Sequence, residues 1–137
     1  MRLYEEALQL QEEITQIRRT IHRHPEIGRK EFRTSKLIRE KLAEFGVDEI
    51  QSPVPTAVIG LIHGGKGPGR CVALRADIDA LPVTEETGLP YSSEEPGMMH
   101  ASGHDMHVAM LLGTAKLLCR HREDFAGTVK LIFQHSE

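Results

Sequence analysis

Carboxylate and imidazole side chains gather in three separated stretches of this sequence. Asp77 and Asp79 lie in Arg75-Ala76-Asp77-Ile78-Asp79, and Glu137 ends Gln134-His135-Ser136-Glu137. Between them stands His100-Ala101-Ser102-Gly103-His104-Asp105-Met106-His107. Neutral imidazole and ionised carboxylate hold divalent cations, and a cation so held polarises a carbonyl and acidifies water, so the chemistry on offer is metal-assisted hydrolysis. Each residue also has a plainer reading. Asp77 and Asp79 suit turns and caps at a strand end, Asp105 suits a helix N-cap, and His107 suits a surface or core histidine in the first helical turn. His104 stands open between ligand and structural histidine; Gly103 before it permits the unusual backbone path that would aim its ring at a shared site. His22 and His24, two apart at a helix end, point in different directions and suit a supporting role. His63, His121 and His135 have no second ligand at helical or hairpin spacing.

These residues need elements that bring them together. Apolar residues recur at helical spacing from Leu3 to His22 (Leu3, Ala7, Leu10, Ile14, Ile17, Ile21), and the helix should stop at His24-Pro25 because the residue before proline avoids the helical region. A second helix is expected over residues 30–45, with Phe32, Leu37, Ile38, Leu42 and Phe45 inward and Gly46 as its stop. Ala57 to Ile62 and Cys71 to Leu74 read as strands joined by a glycine-rich turn, a hairpin signal. That turn is no phosphate loop, since no helix opening with Lys-Ser or Lys-Thr follows it. Residues 82–99 are turn-rich and read as a loop or short strand pair. A helix follows over residues 105–121, and Gly127-Thr128 opens a strand through Phe133. Strands separated by helices indicate an α/β fold, a sheet flanked by helices with parallel pairing, in which ligands sit beyond the carboxyl ends of the strands. All three chemical segments follow such ends or enter the helix between them.

Composition bounds the partners. The chain has 137 residues, 17 Lys and Arg against 20 Asp and Glu, and a formal charge of -3. Interspersed signs leave no basic face for nucleic acid, and no stretch suits a bilayer or a secretory signal, so the expectation is a cytoplasmic protein acting on a small molecule. Cys71 and Cys119 fall in apolar patterns and read as reduced core residues.

Several segments in order resemble the M20 metallopeptidase family, in its aminoacylase-like and hippurate-hydrolase-like amidohydrolase branch. They are residues 18–26 (RRTIHRHPE), 73–82 (ALRADIDALP), 85–90 (EETGLP), 99–107 (MHASGHDMH) and 127–134 (GTVKLIFQ). The resemblance implies a catalytic domain of which residues 1–137 are a part, ending before the metal site is complete, with a lid domain later in the chain. It implies two divalent metal ions, zinc, manganese, nickel or cobalt, and hydrolysis of the amide bond of N-acyl amino acids.

Site residues carry over from the same resemblance. The metal-binding Cys-Gly-His-Asp segment falls on Ser102, Gly103, His104 and Asp105. Serine replaces the thiolate and is a far poorer ligand, so that Asp105 or a water compensates, or one metal binds weakly. Glu137 falls on the general base that takes a proton from the attacking water and delivers it to the departing amine. Asp79 falls among the catalytic acids as an orienting group, and Asp77 and His107 are expected to support the ligands from behind. The chain alone is expected to be inactive, the intact protein to self-associate, and the last strand to lack its sheet neighbours. The alternatives are an inactive remnant or interaction module, and a dipeptidase or acyl-diamino-acid deacylase.

Overall fold

The structure is a computed structural model and describes residues 2–137. Helices α1 (Arg2–Gln9), α2 (Gln11–Arg23) and α3 (Phe32–Phe45) precede strands β1 (Glu49–Gln51), β2 (Val58–His63) and β3 (Cys71–Asp77). Helix α4 (His104–Arg120), a 3-10 turn (Arg122–Asp124) and strand β4 (Thr128–Gln134) complete the order. None of the helices is long and apolar enough to cross a membrane.

The expected first helix is two. Leu10 interrupts it with φ -87° and ψ -3°, although its N–H still reaches the carbonyls of Glu6 and Ala7 at 3.2 and 3.1 Å. Packing explains the break: α2 buries Ile17 and Ile21 against α4, whereas α1 buries nothing of its own. Helix α3 begins at Phe32 because Glu26 caps it from outside. Its carboxylate accepts the N–H groups of Arg33 and Thr34 at 2.9 and 2.7 Å, which satisfies donors that every helix start leaves open. It ends where Gly46 takes φ 89°, a left-handed conformation that only glycine adopts freely. Phe32, expected inward, is 59% exposed, while Thr34 and Ser35 of the same turn are buried in its place.

The sheet runs in the order β1-β2-β4-β3. The expected β2–β3 hairpin does not form: β4 inserts between them, antiparallel to β2 (Val58 opposite Phe133) and parallel to β3 (Asp77 opposite Gln134). The glycine-rich segment is long enough to carry the chain across the width of β4, and the parallel β3–β4 pair is closed through α4, as a long crossover requires. Strand β4 therefore has neighbours on both sides, contrary to the expected bare last strand; the sheet edges are β1 and β3. Between residues 82 and 99 regular pairing is limited to a bridge at its borders, Leu81 with Met99.

Alternation along the strands sets the core on one face. Val58, Ile62, Leu131, Phe133 and Ala76 point to α3 and α4 and meet Ile38, Leu42, Val108 and Leu112 there. On the opposite face Ile59, Leu61, Lys130 and Ile132 are partly exposed, and Cys71, Ala73 and Arg75 are exposed. Cys71 is thus not a core residue, since its pleat position turns it to the uncovered face; Cys119 is half-buried against the core, and both thiols are free. Leu112, fully buried between α4 and the sheet, should cost about 2–5 kcal/mol when cut to alanine in urea unfolding, whereas Val72→Ala on the 55% exposed edge should stay within about 0.5 kcal/mol.

Candidate metal centre

Parallel pairing places the carboxyl ends of β3 and β4 side by side, and α4 returns its N-terminus to the same end. The Ile78 N–H donates to the Gln134 carbonyl at 3.0 Å, so residues 77–79 and 135–137 leave the sheet together. Gly103, at φ 91°, turns the chain into α4 and throws His104 onto this end. His104 and His107 are three apart on one helix face, and their rings stack with centroids 5.6 Å apart.

Both histidines meet Asp77. His107 Nδ1 lies 2.6 Å from Asp77 Oδ1, and His104 Nε2 lies 3.4 Å from Asp77 Oδ2. The other His104 nitrogen, Nδ1, donates to the Asp79 backbone carbonyl at 2.8 Å, with Asp79 Oδ1 at 3.2 Å. A carbonyl oxygen only accepts, so the Nδ1 proton is fixed and the Nε2 lone pair is the free one. That lone pair faces a carboxylate oxygen. Two acceptors face each other favourably only with positive charge between them, a proton or a metal cation, and a histidine held by a carbonyl on its far nitrogen is the usual arrangement of a metal ligand. Burial opposes ionisation of Asp77, but the His107 hydrogen bond, its own N–H and the charges of His104 and His107 outweigh it and hold its carboxyl below the usual range. Among the described residues, Asp77, His104 and His107 form a group of three whose ligand atoms all lie within 4.8 Å of one another.

The structure distributes the expected site residues as follows. It brings Asp77 and His107, expected to support from behind, directly against His104, with Asp79 holding the His104 ring. Ser102 is exposed in the turn before α4, and Glu137 is exposed just past β4. Asp105, next to His104 on the helix, points about 100° away from it. It is not the N-cap, a position Gly103 takes without a side-chain bond. Asp105 is fully buried instead, its Oδ2 accepting Arg18 Nε at 2.7 Å and His22 Nδ1 at 2.8 Å.

His22 also touches Glu85 through Nε2 at 3.0 Å. Arg18, His22, Asp105 and Glu85 thereby tie α2, α4 and the loop of residues 82–99 into one charge network, with Tyr91 lying against Arg18 and Arg19. Burial raises the cost of ionised Glu85, yet hydrogen bonds from Thr87, the Ser93 N–H and His22 bring its carboxyl down from 4.5 to about 2. Behind the same helix start, His100 is buried and its two ring nitrogens and Asp105 Oδ1 have no hydrogen-bond partner among the described residues. Burial, opposed by Asp105 and reinforced by His22 and His104, takes the His100 ring down to about 4, so it is neutral at pH 7. Sequence reasoning gave Glu85, Arg18 and His100 no role. No spacing rule connects residue 18 with 105 or residue 22 with 85, and only the fold makes those pairs.

Because the folded Glu85 carboxyl titrates below its unfolded value of 4.5, its stabilisation is complete above about 4.5 and disappears as pH falls through about 2. Urea unfolding of the wild type and Glu85→Gln across that range should give midpoints that converge as the pH drops. A difference independent of pH would contradict the charge network.

Residues 73–137 match the profile of peptidase family M20/M25/M40. A thermostable carboxypeptidase of Saccharolobus solfataricus is 51% identical over 138 residues, which cover 99% of this chain and 35% of that protein. An N-acyl-L-amino acid amidohydrolase of Geobacillus stearothermophilus is 47% identical over 120 residues, 88% of this chain and 32% of that protein. Among solved structures, a dinuclear metal-binding peptidase of the M20 family from Bacillus subtilis superposes with a TM-score of 0.87 at 46% identity, covering 91% of this chain and 35% of that one. The chain spans about a third of the length of the curated relatives it matches. With 51% identity to one relative across 99% of its length, and a TM-score of 0.87 against a solved M20 peptidase, the chain belongs to the M20 peptidase family.

Proposed function

We propose that this chain supplies metal-binding and proton-transferring groups to a metal-dependent amidohydrolase that cleaves N-acyl amino acids. The observation that carries the reading is the His104 ring: its far nitrogen is fixed by Asp79 and its free lone pair is turned toward Asp77 beside His107. Relatives named as an N-acyl-L-amino acid amidohydrolase and an N-acetyl-L-cysteine deacetylase support the substrate class. The carboxypeptidase names at 51% and 49% identity favour a second reading, removal of an amino acid from a peptide end. Both reactions break an amide whose leaving group is an amino acid, so the residues below serve either.

A divalent ion held by Asp77, His104 and His107 would supply Lewis acidity toward the amide carbonyl and the attacking water. Zinc, manganese, nickel and cobalt all suit mixed imidazole and carboxylate donors. The exposed Ser102 offers a further oxygen on the turn that carries His104 and would be one donor to a second ion, whereas Asp105, buried and held by Arg18 and His22, is turned away from it. Asp79 fixes the tautomer and aim of His104. Glu137, leaving β4 beside the end of β3, takes the proton from the attacking water and gives it to the departing nitrogen, a step commonly contributing about 10²–10⁴-fold. The expected setting is cytoplasmic, and a small molecule rather than nucleic acid or membrane is the partner.

Titration of the dialysed chain with zinc or cobalt should give binding that His104→Ala abolishes, whereas Asp79→Asn, which leaves the orienting backbone carbonyl in place, should weaken it by less than about tenfold, below the usual effect of removing a partner that orients a ligand. Binding unchanged by His104→Ala would sink the proposed centre. In the hydrolase that carries this chain, Glu137→Gln should lower kcat on N-acetyl-L-methionine by about 10²-fold or more while metal content stays constant. Faster turnover of a blocked dipeptide than of the N-acetyl amino acid would select the carboxypeptidase reading.

A further inference from the structure

A second feature sits at the same end of the sheet and is used by none of the chemistry above. Arg29, Phe32, Val54, Pro55, Thr56 and His135 line a cavity of about 390 Å³, within the size range of small-ligand sites. Residues 54–56 lead into β2 and His135 follows β4. With Val58 opposite Phe133 and Asp77 opposite Gln134, the cavity lies at the same end of the sheet as Asp77, about two strand spacings, roughly 10 Å, from its column.

The lining is chemically two-sided. Phe32 and Val54 are 59% and 40% exposed, a substantial apolar wall left in water. Beside them Arg29 joins none of the ion pairs among the described residues, and its backbone is held at φ 70°, a conformation costly for any residue but glycine. His135 Nδ1 is buried without a hydrogen-bond partner among the described residues. The walls are fixed rather than loose. The Ser35 hydroxyl donates to the Thr56 carbonyl, and the fully buried Glu31 accepts the Ser136 N–H at 2.8 Å, so α3 holds both the entry to β2 and the exit from β4.

We propose that this cavity binds the carboxylate of a small apolar acid, with Arg29 pairing its charge, His135 Nδ1 meeting one oxygen, and Phe32 and Val54 covering its hydrocarbon. N-acyl amino acids and the acids released from them belong to this class, and that link to catalysis rests on the amidohydrolase reading; the ligand class rests on the cavity itself.

The test uses the 137-residue chain in EDTA, with hippurate as probe and its methyl ester as the neutral control, followed by amide chemical shifts. Hippurate should shift the amides of Arg29, Phe32, Val54, Thr56 and His135, and the ester should bind about tenfold more weakly, the effect of one charge-assisted bond. Arg29→Gly, which keeps the backbone conformation at no steric cost, should weaken hippurate by a similar factor, while Arg29→Lys should retain most of it. Equal binding of acid and ester, shifts confined to residues outside the cavity, or no shift up to the solubility limit would each overturn the proposal. The acid and ester comparison on the unmutated chain decides the matter even if a variant fails to fold. Absence of metal separates this outcome from the hydrolase reading: a chain that binds hippurate but no zinc refutes only the latter.

Discussion

The parallel contact between β3 and β4 is the constraint on which the rest of this structure depends. Parallel neighbours cannot be joined by a tight turn, so the chain must travel from Asp77 at the end of β3 back to the start of β4, and α4 makes most of that journey. The geometry of the crossover then dictates that α4 begins where β3 ends. His104 and His107 come to Asp77 for that reason alone, and residues 135–137 emerge beside them because β4 runs alongside β3 in register.

A helix start placed on a sheet end must also be held there, and here the holding is electrostatic. Asp105 is buried one residue after His104 and is gripped by Arg18 and His22 from α2, while His22 extends the grip to Glu85 in the long irregular loop. Removing one member of such a network leaves a buried charge without its partner, which is far more costly than losing a surface pair. The network gives α4 a fixed rotation about its axis, with Asp105 turned inward and the His104–His107 face turned to Asp77. Ring direction is then refined locally by Asp79, whose backbone carbonyl selects the tautomer. The placement of the histidine rings at one face is thus supported by an ion cluster on another.

The sheet is finished on one face only. Residues of β2, β4 and β3 that point to α3 and α4 are buried, while their alternates, Ile59, Leu61, Ile132 and Ala73 among them, meet no helix in residues 2–137. Strand β3 also presents an open edge. The continuous core lies on the packed face, between the sheet and α3 and α4, and the site residues stand at the end of the strands that carry it.

The sequence by itself determined most of the helices, three of the four strands and the family. Helical spacing placed α3 and α4 within two residues of both ends and the end of α2 within one, because proline and glycine stop helices by local sterics that need no partner, but it did not show the break at Leu10 that separates α1 from α2. Short apolar runs marked β2, β3 and β4, and the carboxylates and imidazoles after the strand ends and at the start of α4 raised the expectation of a metal site with His104, Ser102 and Asp105 as ligands and Asp77 and His107 behind them. Only the tertiary structure decided which strands pair, since hydrogen-bonding edges are alike and a glycine-rich turn does not reveal that β4 will slip between β2 and β3. The same decision put Cys71 on the open face and Phe32 in solvent. It also sorted the acidic side chains: Asp77 beside the histidine rings and Asp105 toward Arg18 and His22. Those assignments depend on helix rotation and on contacts across some 60 to 90 residues of chain, such as Arg18 with Asp105, at a separation of 87. No local pattern encodes them, because the free energy that fixes them is shared among elements that meet only after folding.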